Sequence, residues 1–388
     1  MIESQEHFLT NKKQHTEIKH KIFHDTFRSI LGISAKFSKN NSFTYIDLYA
    51  GQGKFNDDTF GSPMLALNTI LESEVINSFH QLKCFFSEID KTSYSELEKN
   101  ISYLKSSKKL NPKIATQLHN GNWHEKSDEI KNLLKFSTWG FIFVDPFSNE
   151  VNLNNLIDLL QNHAKLQDFM IFINFQSLKR IIGRYPEHEN TAKFLGIDKK
   201  ELKNLILSND LINECIRARF SAISKDYIVN ISIPTTREGK IVEKDNFQLL
   251  LGTNSIGVSD AFLNSYFESL EEYKGSFATS LFDNIGNDII KIIKYKKTIS
   301  LNNIVQELYT NTNSWKYAEK NNIPTSDNIH RSINDLLKNK LIKIANIPDE
   351  FLIKSNKTIN KKAYSRNKYM REIILGSVQY SVSSSDKS

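Results

Sequence analysis

Five short apolar runs, each followed by an amphipathic stretch, limit what this chain can fold into. They are FTYIDLY (Phe43–Tyr49), CFFSEI (Cys84–Ile89), KIATQL (Lys113–Leu118), GFIFVD (Gly140–Asp145) and DFMIFIN (Asp168–Asn174). Four of the five are nearly continuous in apolar residues, as strands buried on both faces of a parallel sheet are. Helical periodicity covers Pro63–Glu72, Thr92–Leu104, Trp123–Lys135 and Leu153–Gln161 between them. Such alternation is the signature of an α/β domain. The helical tract from Gln176 to Ser224 is longer than an ordinary connection and must hold several helices. YIVNISI (Tyr227–Ile233) and NFQLLLGT (Asn246–Thr253), joined by a polar TTREGKIVEKD, then read as an antiparallel hairpin. Residues Val258–Tyr273 form a further helix, which places the first domain at 1–274.

The second part of the chain differs in charge. Between Ile285 and Glu372 there are 17 Lys and Arg against 8 Asp and Glu, while the whole chain carries +7. A near-neutral body joined to a basic segment suggests an anion-binding module beside a scaffold or catalytic one. IGNDIIKIIKY, SLNNIVQELY and DNIHRSINDLLKNK have the 3.6-residue apolar period of three helices. LIKIANI and EFLIK follow as a short strand pair. Three helices and a hairpin make a winged helix-turn-helix over 285–354. In it, Asn328, His330, Arg331 and Asn334 would face base edges in the major groove. Lys354, Lys357, Lys361, Lys362 and Arg366 would contact phosphates. Residues 355–388 read as a basic segment and a disordered, Ser-rich tail. Docking of a protein partner is the alternative use of this domain.

No run reaches the roughly 18 apolar residues of a membrane span, and the first residues lack the apolar core of a secretory signal, so a cytoplasmic protein is expected. Cys84 and Cys215 are the only cysteines, which excludes a disulfide framework and a cysteine-based zinc site. His20 and His24 stand at i, i+4, but no acidic or cysteine partners cluster with them in sequence, and no metal site is expected.

The chemistry-bearing stretch is Asp47-Leu-Tyr-Ala-Gly-Gln-Gly-Lys-Phe55, closing the first apolar run. Gly51 and Gly53 allow the backbone to pass close to a ligand. The third glycine of a dinucleotide fingerprint is missing, and an acidic residue precedes the loop. Asp47 would repel a pyrophosphate but can accept from the amino group of a methionine moiety, which points to S-adenosylmethionine. Tyr49 and Ala50 belong to the same turn. Glu88, at the end of the second strand, can take both ribose hydroxyls. Ile89 adjoins it, and for Asp90 capping of the next helix is the alternative. After the third strand, Asn122 could take the adenine amine and Trp123 stack on the ring; Trp123 as an ordinary core residue is the alternative. The Asp145-Pro146-Phe147 stretch resembles the Asp/Asn-Pro-Pro-Tyr/Phe of amino-group methyltransferases, one proline short. There Asp145 would orient or deprotonate the acceptor and Phe147 stack on it; a plain strand-end carboxylate is the alternative.

Taken together, Lys19-His20, Tyr45-Ile-Asp-Leu-Tyr-Ala-Gly-Gln-Gly53, Gly61-Ser-Pro63, Glu88-Ile-Asp90, Phe143-Val-Asp-Pro-Phe147 and Ile173-Asn-Phe175 resemble the three-Cys-motif partner proteins. That family usually has Ala-Gly-Pro-Gly where this chain has Ala50-Gly51-Gln52-Gly53. The resemblance implies a Rossmann-like class I methyltransferase sheet, five parallel strands plus the C-terminal antiparallel hairpin, often with a winged-helix extension. It also implies Lys19 and His20 at the cofactor and a cysteine-motif partner. The expected function is S-adenosylmethionine-dependent methyl transfer to nucleic acid or a nucleotide-like group. A non-catalytic module that recruits nucleic acid or a partner through a retained core is the alternative.

Overall fold

The computed structural model of the chain describes residues 14–36, 41–55, 57–107, 111–146, 153–161, 166–185, 189–195, 197–204, 212, 215–216, 218–220, 223, 225–237, 240–274, 285–296, 299–300, 303–304, 307–308, 326–339, 341–346 and 379–382. They fall into two compact units, Met1–Gly275 and Ser276–Ser388.

In the first unit, helix α1 (Gln14–Lys36) precedes β1 (Asn41–Asp47). Then come α2 (Ser62–Glu72), β2 (Phe79–Glu88), α3 (Lys91–Ser106) and β3 (Ile114–Asn120). A 3-10 turn at Trp123–Lys126 leads into α4 (Ser127–Lys135), β4 (Trp139–Val144), α5 (Leu153–Leu160) and β5 (Leu166–Asn174). The long helical tract resolves into α6 (Phe175–Arg184), α7 (Glu189–Leu195) and α8 (Lys199–Asn204), with further helical residues beyond. β6 (Tyr227–Arg237), β7 (Lys240–Thr253) and α9 (Ile256–Lys274) complete the unit.

All seven strands form one sheet in the order β3-β2-β1-β4-β5-β7-β6. The first five are mutually parallel, and β7 runs antiparallel to both β5 and β6. This mixed sheet resembles the Rossmann-like methyltransferase folds. The polar TTREGKIVEKD, expected as a connection, is instead paired strand: Thr235 lies opposite Val242, Thr236 opposite Ile241 and Arg237 opposite Lys240. Thr, Val and Ile suit a pleated surface, so the ladder continues through this stretch although it is polar overall. β2 likewise begins at Phe79 rather than near Cys84, with His80 and Gln81 exposed between buried Phe79 and Leu82.

α1 fixes the geometry of the site. Phe23 packs 4.7 Å from Phe143, while Phe27, one turn later, packs 5.1 Å from Tyr45 and 5.4 Å from Phe141. Moving up the helix therefore moves down the strands, so α1 runs antiparallel to β1 and β4. Residues 19, 23 and 27 share one face at i, i+4 spacing. Burying two phenylalanines in this cluster stabilises the helix on the sheet by about 2–3 kcal/mol each. Lys19, one turn before Phe23, is thereby carried to the carboxyl edge of the sheet.

In the second unit, α10 (Ile285–Lys296) buries Ile285, Ile289 and Ile293, and α11 (Ser326–Lys338) buries Ile329, Ile333 and Leu336. Strands β8 (Ile299–Ser300), β9 (Ile342–Asn346) and β10 (Gln379–Val382) form an antiparallel sheet in the order β8-β10-β9. The tail expected to be disordered thus supplies the central strand. Apolar residues alternate at Val378, Tyr380 and Val382, which is the period of a strand with one covered face. The EFLIK segment expected as the second strand of the hairpin lies outside the described residues.

Candidate functional site

A doubly wound sheet opens a crevice outside its carboxyl edge where the strand order reverses, here between β1 and β4. β1 ends at Asp47, and the chain turns through the glycine loop. Gly51 has φ +61° and Gly53 φ +82°, both in the left-handed region where a Cβ is costly. A Cβ on Gly53 would meet Leu97 Cδ1 at 3.0 Å and Met64 Cγ at 3.1 Å, so this glycine serves close packing of α2 and α3. Around Gly51 nothing lies within 4 Å of that position. The loop passes bare backbone along open space there. It is fastened from several sides: Ala50 N–H donates to the Ser87 carbonyl at 2.9 Å, Gly61 N–H to the Gly53 carbonyl at 2.8 Å, and Asn100 Nδ2 to the Gln52 carbonyl at 3.0 Å.

Glu88, half-buried at the end of β2, grips the same loop. Gly51 N–H donates to its Oε2 at 2.7 Å and Asp90 N–H to its Oε1 at 2.8 Å. Burial raises the Glu88 carboxyl above its usual range, and these two donors restrain the rise. Each oxygen retains acceptor capacity beyond the bond it makes. Asp90 caps α3, its Oδ1 accepting from Ser93 N–H at 2.8 Å. Ile89 stands between them 67% exposed, an apolar side chain in the open directly beside the carboxylate.

Two residues expected to touch a cofactor do not present themselves. Asp47 is fully buried, and its carboxylate accepts from Tyr49 N–H and the Tyr45 hydroxyl, each at 3.2 Å. Burial pushes it up to about 7, against hydrogen bonds from Ser62 and Tyr49 and with a further push from the Asp145 charge. With no exposed surface it organises the turn rather than receiving an amino group. Trp123 is 1% exposed and donates its indole N–H to Tyr49 Oη at 3.1 Å, so it has no face free for a base. Its neighbour Asn122 caps the 3-10 turn, accepting from His124 N–H at 3.2 Å.

At the end of β4, Asp145 pairs with Lys19 of α1. The Lys19 ammonium also lies 4.5 Å from the centroid of Phe172, on β5. Lys19 and His20 are both buried, and His20 packs 5.9 Å from Phe55 of the glycine loop. α1 therefore reaches the β4 end and the glycine loop through Lys19 and His20. Pro146 follows Asp145 half-buried, and Phe147 lies outside the described residues.

Beside this contact lies a cavity of about 440 Å³, lined by Glu17, His20, Lys21 and His24 of α1 and by Asp58, Thr59, Phe60 and Leu65. The acidic partner of His24 is its neighbour in sequence, Asp25. His24 Nδ1 is 3.0 Å from Asp25 Oδ1, and Ser265 on α9 donates to Asp25 Oδ2 at 2.6 Å. Burial works to raise the Asp25 carboxyl, but His24 and Ser265 outweigh it and hold it below its usual range. Among the described residues no group of His, Cys, Asp or Glu could hold a metal ion.

In the second unit, Asn328, His330, Arg331 and Asn334 lie on α11. Lys354, Lys357, Lys361, Lys362 and Arg366 lie outside the described residues. Sequence reasoning missed the Lys19–Asp145 pair, whose partners are 126 positions apart, and it missed Phe172. The signal for the first was the i, i+4 row of Lys19, Phe23 and Phe27, which ties one end of that helix face to the sheet edge.

No family model matches the chain, and no curated protein matches it. Its neighbours among solved structures are S-adenosylmethionine-dependent methyltransferases at low identity. The plantazolicin methyltransferase BpumL in complex with SAH is 12% identical, with 62% of this chain and 86% of that one covered and a TM-score of 0.31. The methyltransferase domain of bacterial CtHen1 is 10% identical over 60% of this chain and 98% of that one, at 0.31. A SAM-dependent methyltransferase from Agrobacterium tumefaciens is 6% identical over 61% and 62%, at 0.32. Similarity at this level carries no residue roles across, so the functional reading rests on the site itself. No helix among the described residues is long and apolar enough to cross a membrane.

Proposed function

We propose that the chain is an S-adenosylmethionine-dependent methyltransferase acting on nucleic acid or a nucleotide-like group. The observation that carries this reading is the open left-handed turn at Gly51, tied by its N–H to Glu88 and flanked by exposed Ile89. These residues fit an adenosyl group. The spare acceptor capacity of Glu88 suits ribose hydroxyls, Ile89 offers an apolar face to the base, and the space beside Gly51 admits the methionine chain. Asn122 is exposed near the same edge, within the set that would frame the base. The bound cofactor supplies a methyl group on a sulfonium, already electrophilic. The protein's task is then alignment and exclusion of water. α1 closes the crevice through Lys19 and His20, and Asp145 is the carboxylate at the β4 end, able to orient an amine and take its proton. Pro146 stiffens the chain beyond it, and Phe147 would stack on the acceptor.

The second unit supplies the grip on a polymer in this reading. A three-stranded antiparallel sheet with helices α10 and α11 is the composition of a winged helix, and the net +9 over Ile285–Glu372 favours phosphates. Asn328, His330, Arg331 and Asn334 would read bases. A three-Cys-motif protein in the cytoplasm is the partner the family resemblance suggests. Isothermal calorimetry of S-adenosylmethionine with the full chain is the test: saturable micromolar binding is expected, and none at millimolar concentration would end the reading. For the second unit, reversing Lys361 and Lys362 to Glu should weaken nucleic-acid binding several-fold and flatten its salt dependence. Unchanged affinity would move this unit to protein contacts. A non-catalytic recruiting module is the second reading, favoured by one observation: Asp145, the acceptor carboxylate of the first reading, is already paired with Lys19.

A further inference from the structure

Lys19 is an unusual residue to find enclosed. It is 6% exposed, although a four-carbon stem on a helix edge normally lets the ammonium reach water. Removing an ammonium from water costs several kcal/mol, and one carboxylate offsets this only in good geometry. α1 does not need the pair as an anchor, since Phe23 and Phe27 already fix it on the sheet. What surrounds the ammonium is a recognition arrangement. Asp145 accepts from it on one side, and the face of Phe172 lies 4.5 Å away on another. That ring is itself held in place, stacked on Phe247 at 5.3 Å and 18°. A carboxylate combined with a fixed aromatic face is what selects an organic cation. The arrangement also stands at the β4 end, on the far side of the glycine loop from Glu88.

We propose that Asp145 and Phe172 form a subsite for an alkylammonium group, that Lys19 fills it from within the chain, and that an acceptor amine takes Lys19's place there. This rests on the methyl-transfer part of the proposed function and replaces its nucleotide-like acceptor with an alkylamine. The nitrogen is that of an alkylamine, arriving protonated, and not the weakly basic exocyclic amine of a nucleobase. When the ammonium gives its proton to an Asp145 oxygen, the nitrogen regains its lone pair and the carboxylate becomes a neutral acid. Lys19 holds the pocket shut to water until an amine displaces it.

The test uses the full-length chain with Lys19→Ala and the probe n-butylammonium, followed by calorimetry and thermal melting. The variant should bind n-butylammonium about tenfold or more tighter than the wild type and melt higher in its presence. n-Butanol, of similar size and uncharged, should do neither, and adding Asp145→Asn should abolish the effect. Equal binding by the wild type and the variant, or binding that survives Asp145→Asn, overturns the subsite. Binding of adenine in preference to n-butylammonium overturns the alkylamine class. Should Lys19→Ala fail to fold, the wild type remains informative. Butyltrimethylammonium should displace Lys19 and raise its rate of acetylation by acetic anhydride, read by peptide mass spectrometry; no rise overturns the proposal. S-adenosylmethionine titrated into the same proteins separates the two readings. Cofactor binding without ammonium binding sinks the subsite alone, whereas absent cofactor binding sinks the methyltransferase reading and leaves the ammonium result to stand or fall by itself.

Discussion

Gly51→Val is expected to remove S-adenosylmethionine binding, with a fall in affinity of at least about 100-fold, while the protein remains folded. Two physical terms act together. At φ +61° a side chain costs about 1–3 kcal/mol, and more for a β-branched one. The added methyls would occupy the open space beside the loop, because nothing else lies within 4 Å of the Cβ position. That space is what the methionine chain would need. Because no neighbouring atom is displaced, the loss of stability should stay near the backbone strain alone.

Gly53→Val makes the control. There the Cβ meets Leu97 and Met64 at 3.0 and 3.1 Å, so the clash spreads into α2 and α3. This variant should lose stability well beyond the strain of its φ angle, typically by a further 1–3 kcal/mol for an overpacked site. Calorimetry with S-adenosylmethionine and urea melts of both variants check the pair. Gly51→Val retaining full affinity would show that the open space is not a ligand site. Gly51→Val unfolding as readily as Gly53→Val would show that the loop at Gly51 is packed after all.

The contrast between these glycines marks how far the sequence could be read. Both were legible as points of close backbone approach, yet only coordinates separate a glycine that packs from one that borders open space. The five parallel strands were legible because each is an apolar run between periodic helices, and periodicity is a local property. The continuation of β6 and β7 was not, because Thr235, Thr236 and Lys240 are held by pairing across the hairpin, which a polar stretch does not announce. β10 failed for a related reason: a four-residue strand in a Ser-rich tail has too little composition to announce itself, and its partners lie far back in the chain. Within the site, the capping role of Asp90 could be assigned because a helix-cap position carries fixed chemistry, and Glu88 was legible as a strand-end carboxylate but not as the acceptor of Gly51 N–H. Asp47 and Trp123 were placed on the right loops, but their exposure depends on packing from other elements, and both turned inward.

Asp47 leads to the second large effect, a dependence of stability on pH. Its folded-state carboxyl is raised from 3.8 to about 7, chiefly by burial. Below pH 3.8 the group is protonated in both states and imposes no penalty. As pH rises from there to about 7, the unfolded chain loses the proton first while the folded chain holds it. The unfolded state then binds fewer protons, so stability falls through this window and levels off above it. Three pH units at about 1.4 kcal/mol each set an upper bound of about 4 kcal/mol. The partners are compatible with a neutral acid: Tyr45 O–H and Tyr49 N–H both donate, and the Ser62 hydroxyl can accept from a protonated carboxyl. Asp47→Asn keeps an acceptor oxygen for Tyr49 N–H, lets the Tyr45 hydroxyl turn to accept from the new amide, and removes the titration. The variant should therefore match the wild type near pH 4 and exceed it increasingly toward pH 8, by a few kcal/mol at most. Urea titrations of both proteins across this range measure the difference directly, and groups that titrate alike in both cancel. A wild type that gains on the variant as pH rises would mean that the buried carboxylate is stabilised as the anion. The glycine loop would then be organised around a charge held by the Tyr45, Tyr49 and Ser62 donors.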